Sequence, residues 1–155
     1  MKVLSKGKTV LWCSQHEIEL NESELPELSD ASTKFVIPAD AQPRVDLVSR
    51  SMAAFSETPV FLVWFNDWTA RPSGQRMHVF DRFRLSYGES RPLIHSPGHV
   101  FEGSETEDAI SLVTLAILFR WDCYVVSPKR SRLLYFSRDE YGLTKGIASE
   151  LWSAA

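Results

Sequence analysis

The sequence predicts an α/β (or α+β) protein, a single compact domain over 1–155 with a mixed sheet of about five strands flanked by helices, and three observations predict it. The run PVFLVWF from Pro59 to Phe65 is continuously apolar and led by β-formers, the pattern of a strand covered on both faces. Apolar residues at helical spacing from 40 to 55 separate that run from an earlier strand-like one, as in a strand, helix, strand unit. The apolar stretch from Ala109 to Phe119 leads directly into two further short apolar runs, as a buried helix entering a hairpin does.

Taken in order, Val10, Leu11, Trp12 and Cys13 suit a first short strand. Residues 17 to 30 carry Glu17, Glu19, Glu22, Glu24, Glu27 and Asp30 with no lysine or arginine among them. Such a stretch is a solvated loop, or an acidic surface that attracts a basic partner. Phe35, Val36 and Ile37 form a second strand stopped by Pro38. A helix follows from Asp40 to Phe55, with Asp40 as its N-cap, Pro43 in its first turn, and Val45, Val48, Met52 and Phe55 on its buried face. With the strand at 59–65 this makes a right-handed parallel crossover.

Asn66 to Gly74 reads as a loop, through Pro72-Ser73-Gly74. Residues 75–87 fit a helix through Met77, Phe80, Phe83 and Tyr87 and nearly fit a strand through Met77, Val79, Phe83, Leu85 and Tyr87; the helix is preferred, because Gly88 would close it and Asp81 and Arg84 make an i,i+3 pair. The span from Gly88 to Gly103 reads as a proline-broken loop, with a type II turn at Ser96 to His99. The central helix, 104–120, opens with Ser104 and Glu107 at capping-box spacing and carries Glu105, Glu107 and Asp108 where the macrodipole favours negative charge. Its nearly all-round apolar surface predicts burial, so a charge at Leu115 is expected to disrupt the domain. A C-terminal β-hairpin, 122–137, follows, with a basic solvated tip at Lys129, Arg130 and Arg132. Ser137 and Glu140 repeat the capping spacing and predict a last helix, docked through Leu143, Ile147 and Leu151.

Composition narrows the function. At 155 residues, 44% hydrophobic and 12% aromatic, the chain is long and apolar enough to bury a core without metals or disulfides. A net charge of -3 argues against gripping a nucleic-acid backbone, which takes a basic face. Cys13 and Cys123 lack zinc or disulfide spacing and read as buried thiols, and the N-terminus lacks a signal-peptide apolar run, so a cytoplasmic location without a membrane span is expected. No metal or cofactor is expected: there is no glycine-rich phosphate loop, no nucleophile elbow and no cysteine ligand pair, and His95 and His99 stand on a loop rather than on a helix.

Candidate binding residues are Trp64, Asp67 and Trp68, at the carboxyl end of the central strand where α/β sheets collect ligands, with Arg82, Arg84, His95 and Trp121. Candidate catalytic residues are His99, Asp122 and Asp139. Asp122 is the most informative of these, because a carboxylate between a buried helix and a strand must be paired, exposed or functional.

The series Tyr87-Gly88, Pro97-Gly98-His99-Val100-Phe101, Glu107-Asp108, Trp121-Asp122-Cys123-Tyr124 and Phe136-Ser137-Arg138-Asp139-Glu140 resembles a family of small bacterial proteins to which no function attaches. The resemblance covers the second half of the chain and directs attention to His99, Trp121, Asp122 and Asp139. Arg138 stands where the resemblance implies a histidine before the Asp-Glu pair. Two functions follow as expectations. The first is a non-catalytic protein-binding module, of immunity or adaptor type, whose partner is another and basic protein. The second is a small hydrolase or nucleic-acid-processing enzyme with a His/Asp/Arg cleft.

Overall fold

The structure, a computed structural model, describes residues 1–66 and 74–152, with only the backbone for 74–77. Its strands are β1 (Lys2–Leu4), β2 (Thr33–Val36), β3 (Val60–Asn66), β4 (Gly98–Glu102), β5 (Asp122–Val126), β6 (Leu133–Phe136) and β7 (Tyr141–Lys145). Its helices are α1 (Lys6–Gln15), α2 (Ala41–Met52), α3 (Gly74–Leu85) and α4 (Thr106–Leu118). The α/β class stands, but among the described residues the sheet has seven strands in the order β1-β4-β3-β5-β6-β7-β2 and every neighbouring pair is antiparallel.

The strand β3 organises it. Phe61, Val63 and Phe65 alternate with Leu62 and Trp64 because successive side chains leave a strand on opposite faces. The first set enters a core beneath α2, α3 and α4, and the second a core beneath α1 and residues 18–28. Both faces of β3 are therefore dry, as its apolar run requires. The strands β2 and β3 do run in the same direction, but β5, β6 and β7 stand between them, so the expected crossover spans most of the sheet.

Four elements differ from expectation, each for a local reason. Residues 6–15 are a helix rather than a strand: the Ser5 side chain accepts from the Lys8 N–H, and Thr9 and Cys13, four apart, turn inward while Leu11 stays exposed. Gly98 opens β4 instead of a turn, since a Cβ there would overlap the side chain of Thr9 in α1. The capping box lies two residues early, at Glu102 and Glu105, and α4 starts after it. Ser137 to Glu140 is a tight turn and not a helix start: the Ser137 hydroxyl accepts from the Asp139 N–H, and β7 follows. Gly142 in β7 faces the ring of Phe35, which a Cβ would overlap, so the β2–β7 pair closes only around a glycine.

In α2 the buried face runs through Arg44, Leu47, Val48, Ser51 and Met52, which sets Val45 at the rim and puts an arginine inside. In α4 the deepest apolar positions are Ala109, Leu112, Val113 and Ala116, while Leu115 packs from the rim and Leu118 is exposed. The helix is thus covered on one side rather than all round. Both cysteines are buried and free. Burial pushes the Cys13 thiol up to about 12 and raises that of Cys123 as well. Neither thiol is expected to react with a disulfide-exchange reagent in native buffer, while both react in denaturant; labelling of the native protein at the denatured rate would contradict the burial.

Candidate functional site

Two exits of α4 carry the residues that sequence singles out. At its C-terminus Trp121 N–H donates to Ala116 O (2.9 Å) and Arg120 N–H to Ile117 O (3.2 Å), with Arg120 at φ 59°. This is the reverse turn that usually places glycine in the left-handed position. A second left-handed residue, Glu140 at φ 66°, lies in the β6–β7 turn, and the two side chains meet: Arg120 Nη2 lies 3.0 Å from Glu140 Oε1. The same carboxylate receives Nη2 of buried Arg44 at 2.6 Å, whose Nη1 and Nε donate to Ile117 O (3.2 Å) and Pro38 O (2.5 Å). Each left-handed non-glycine residue costs roughly 1–2 kcal/mol, and the shared ion pair to a desolvated arginine offsets it.

Beside this clamp Asp122 Oδ1 accepts from the Arg138 N–H (2.8 Å) and from the Tyr135 hydroxyl (3.3 Å). Asp139 is exposed on the same turn. The cavity at the clamp, lined by Arg44, Arg120 and Glu140 with Trp121, Ser137 and Arg138, holds about 10 Å³, room for roughly one water. The corner ties α2, α4 and the β6–β7 turn together.

His99 lies elsewhere. It is opposite Val63, and Val63 is opposite Val125, whereas Asp122 is opposite Asn66. Directly opposed residues share a face, so His99 and Asp122 project from opposite faces of the sheet. The His99 ring is fully buried against Phe65 (5.3 Å between centroids), which also meets Trp121 at 6.5 Å. Its Nδ1 lies 3.1 Å from Pro97 O, which makes Nδ1 the protonated nitrogen of the neutral ring, and Nε2 has no hydrogen-bond partner among the described residues. Burial, helped by the Arg84 cation, holds the ring down at about 3. Arg84 is itself fully buried, donating to Arg91 O (2.7 Å), Ser96 O (3.3 Å) and Ser96 Oγ (2.5 Å).

The remaining candidates scatter. Trp64 is buried in the core under α1, Trp121 stacks on Phe80 (4.4 Å, 13°), and Arg82 and His95 are exposed on α3 and on the turn Leu93–His95. Asp67 and Trp68 lie outside the described residues. The cleft of His99, Asp122 and arginines is therefore not formed. Among the described residues no cluster of three or more His, Cys, Asp or Glu is placed to hold a metal, and no helix is long and apolar enough to cross a membrane.

The acidic stretch is likewise not an open field. Arg130, expected to be solvated, is 7% exposed and donates to Glu27 O (2.7 Å), to both oxygens of Asp30 (2.8 and 3.1 Å) and to Glu19 Oε2 (3.1 Å). Lys145 Nζ adds a 2.6 Å bond to Asp30, and the two cations hold that carboxyl down at about 2. Residues 18–28 are drawn across the sheet, where Ile18, Leu20, Leu25 and Leu28 cover the core. Removing one partner of a buried ion pair costs about 3–5 kcal/mol. Since Glu19 and Asp30 retain much of their exposure, Arg130→Ala is expected to lower stability by about 2 kcal/mol. Urea unfolding and cleavage by a glutamate-specific protease at Glu22 and Glu24 check it; unchanged values in both would remove the strap role.

Sequence reasoning missed a groove of about 320 Å³ at the outer strand β2, lined by Lys34, Phe35, Val36, Pro38, Leu47, Arg50, Leu151 and Trp152. Trp152 stacks on Phe35 at 4.2 Å and 9° to form its aromatic wall, and Val36 is 78% exposed. Its one sequence signal is the late Leu151-Trp152 pair, which a docked final helix would have hidden. Compared with protein-family models, curated proteins and solved structures, the chain matches none.

Proposed function

We propose that the chain is a non-catalytic protein-binding module of the immunity or adaptor kind, one that masks or bridges another protein in the bacterial cytoplasm. The observation that carries this reading is the division of the candidate acid–base groups: His99 and Asp122 occupy opposite faces of the sheet. Acid–base catalysis requires such groups within hydrogen-bond reach of one substrate. Asp122 and Glu140 are instead engaged in holding turns, and His99 is sealed from solvent. Two buried free thiols suit a reducing compartment.

Meanwhile the molecule retains surface that suits association: an outer strand with an exposed valine beside an aromatic-walled groove. The acidic stretch supports a basic partner less than its composition promises, because Arg130 and Lys145 already neutralise Asp30 and Arg130 engages Glu19. The test is capture on the immobilised full chain from lysate of the native host, followed by mass spectrometry and gel filtration of the recovered pair. One protein retained at 1:1 stoichiometry is the expected result; no stoichiometric protein under several growth conditions would overturn the reading.

A further inference from the structure

The structure assigns recognition to the β2 edge: we infer that an extended, carboxylate-bearing segment of another protein adds as a strand along Thr33–Val36 and fills the groove beside it. This rests on the binding reading above and specifies its surface and the chemistry of its partner. The two edges of the sheet differ. At β1 the Arg91 guanidinium, held by Glu89 at 2.7 Å, donates to the Val3 carbonyl at 3.1 Å, so a side chain occupies that edge. At β2 the only strand partner among the described residues is β7, and the backbone beyond it borders the groove.

An outer strand with unpaired backbone groups is a template for another strand, and adjoining pockets then select side chains. The Phe35–Trp152 stack and Leu47 offer an apolar wall for one such side chain. The polar side chains among the lining residues, Lys34, Arg50 and Trp152, are all donors, with Lys34 leaving β2 on the face opposite Phe35. The Trp152 indole N–H is buried without an acceptor among the described residues. Among the described residues Arg50 donates from Nε to Asp46 O at 3.3 Å, and Lys34 rests over the Tyr141 ring at 4.5 Å. Lining side chains that only donate, two of them cations, are complemented by a charged side chain that only accepts, which is a carboxylate. The same cations oppose a second copy here, since two β2 edges would bring Lys34 and Arg50 towards their own counterparts.

The test titrates the isotope-labelled full chain with a blocked peptide of alternating valine and glutamate, its valine and lysine counterpart, and a version with a central proline. The acidic peptide is expected to shift the amides of 33–36 and the Trp152 indole signal, and to bind about tenfold tighter than the basic one. Proline should abolish binding, because it removes a ladder donor. Arg50→Glu, on the exposed face of α2, should reverse the charge preference. Trp152→Phe, which keeps a ring on Phe35, should weaken the acidic peptide by about threefold. Equal affinity for both charges, or shifts away from β2, would overturn the assignment, as would self-association through the same amides without peptide. A lysate partner held equally by wild type and Arg50→Glu would remove this surface while leaving the binding reading intact; a partner lost on Arg50→Glu supports both.

Discussion

Lowering the pH from 7 to 5 is expected to cost the native state about 2 kcal/mol, and His99 is the cause. In the unfolded chain a histidine titrates near 6.5, while burial beside Arg84 holds His99 at about 3 in the fold. Between those values the unfolded chain binds a proton that the native state refuses. Stability from this group is therefore complete above about pH 6.5 and declines at about 1.4 kcal/mol per pH unit as the pH falls, levelling off below the folded value. Four carboxyls with lowered values, Glu27, Asp30, Glu89 and Glu105, act in the same direction, but only at lower pH. Their contribution is present above about pH 4 and lost as the pH falls towards 2, so the interval from pH 7 to 5 isolates the histidine. Urea unfolding of wild type and His99→Phe at both pH values checks this. An equal loss in the variant, or none in the wild type, would refute it.

The second large effect separates two leucines one turn apart. Leu112 is fully buried in the core, whereas Leu115 packs from the rim. A buried Leu→Ala change loses both the transfer energy of the side chain and the contacts around the cavity left behind, about 2–5 kcal/mol. Leu112→Ala should fall in the upper half of that range, since the core that holds Leu112 is built from strands and helices that cannot collapse inward. Leu115→Ala should cost about 1–2 kcal/mol, because its site opens to solvent and leaves no sealed void. Equal losses at the two positions would mean that α4 is rotated from the orientation described.

Strong apolar runs announced their elements, and short alternating ones did not. Pro59 to Phe65, the helix face ending at Met52 and Phe55, and the hairpin of Cys123 to Phe136 each carry enough contiguous apolar surface to fix their state locally. The strands β1, β4 and β7 do not: each has five residues or fewer, and Gly98 and Gly142 resemble turn punctuation until Thr9 and Phe35 are seen pressed against them. The alternative expected for Asp122, that it is paired, was legible from its position between helix and strand. Its partners were not, because Tyr135 and the Arg138 amide reach it only through the fold-back of β6. The groove was the least legible feature, since no local pattern says which strand will be outermost.

The position of β2 also bears on how the molecule forms. It pairs Thr33 with Thr144, so the strand waits for nearly the whole chain before its neighbour β7 exists. Closing so long a loop has an entropic cost that nearer pairings, such as β5 with β6, do not meet. The outer strand should thus be the last to join, and during synthesis Phe35 and Val36 remain unpaired until β7 has emerged. The surface proposed for recognition is also the final one to be assembled, so a chain that stalls before β7 has every other strand of the sheet but no groove.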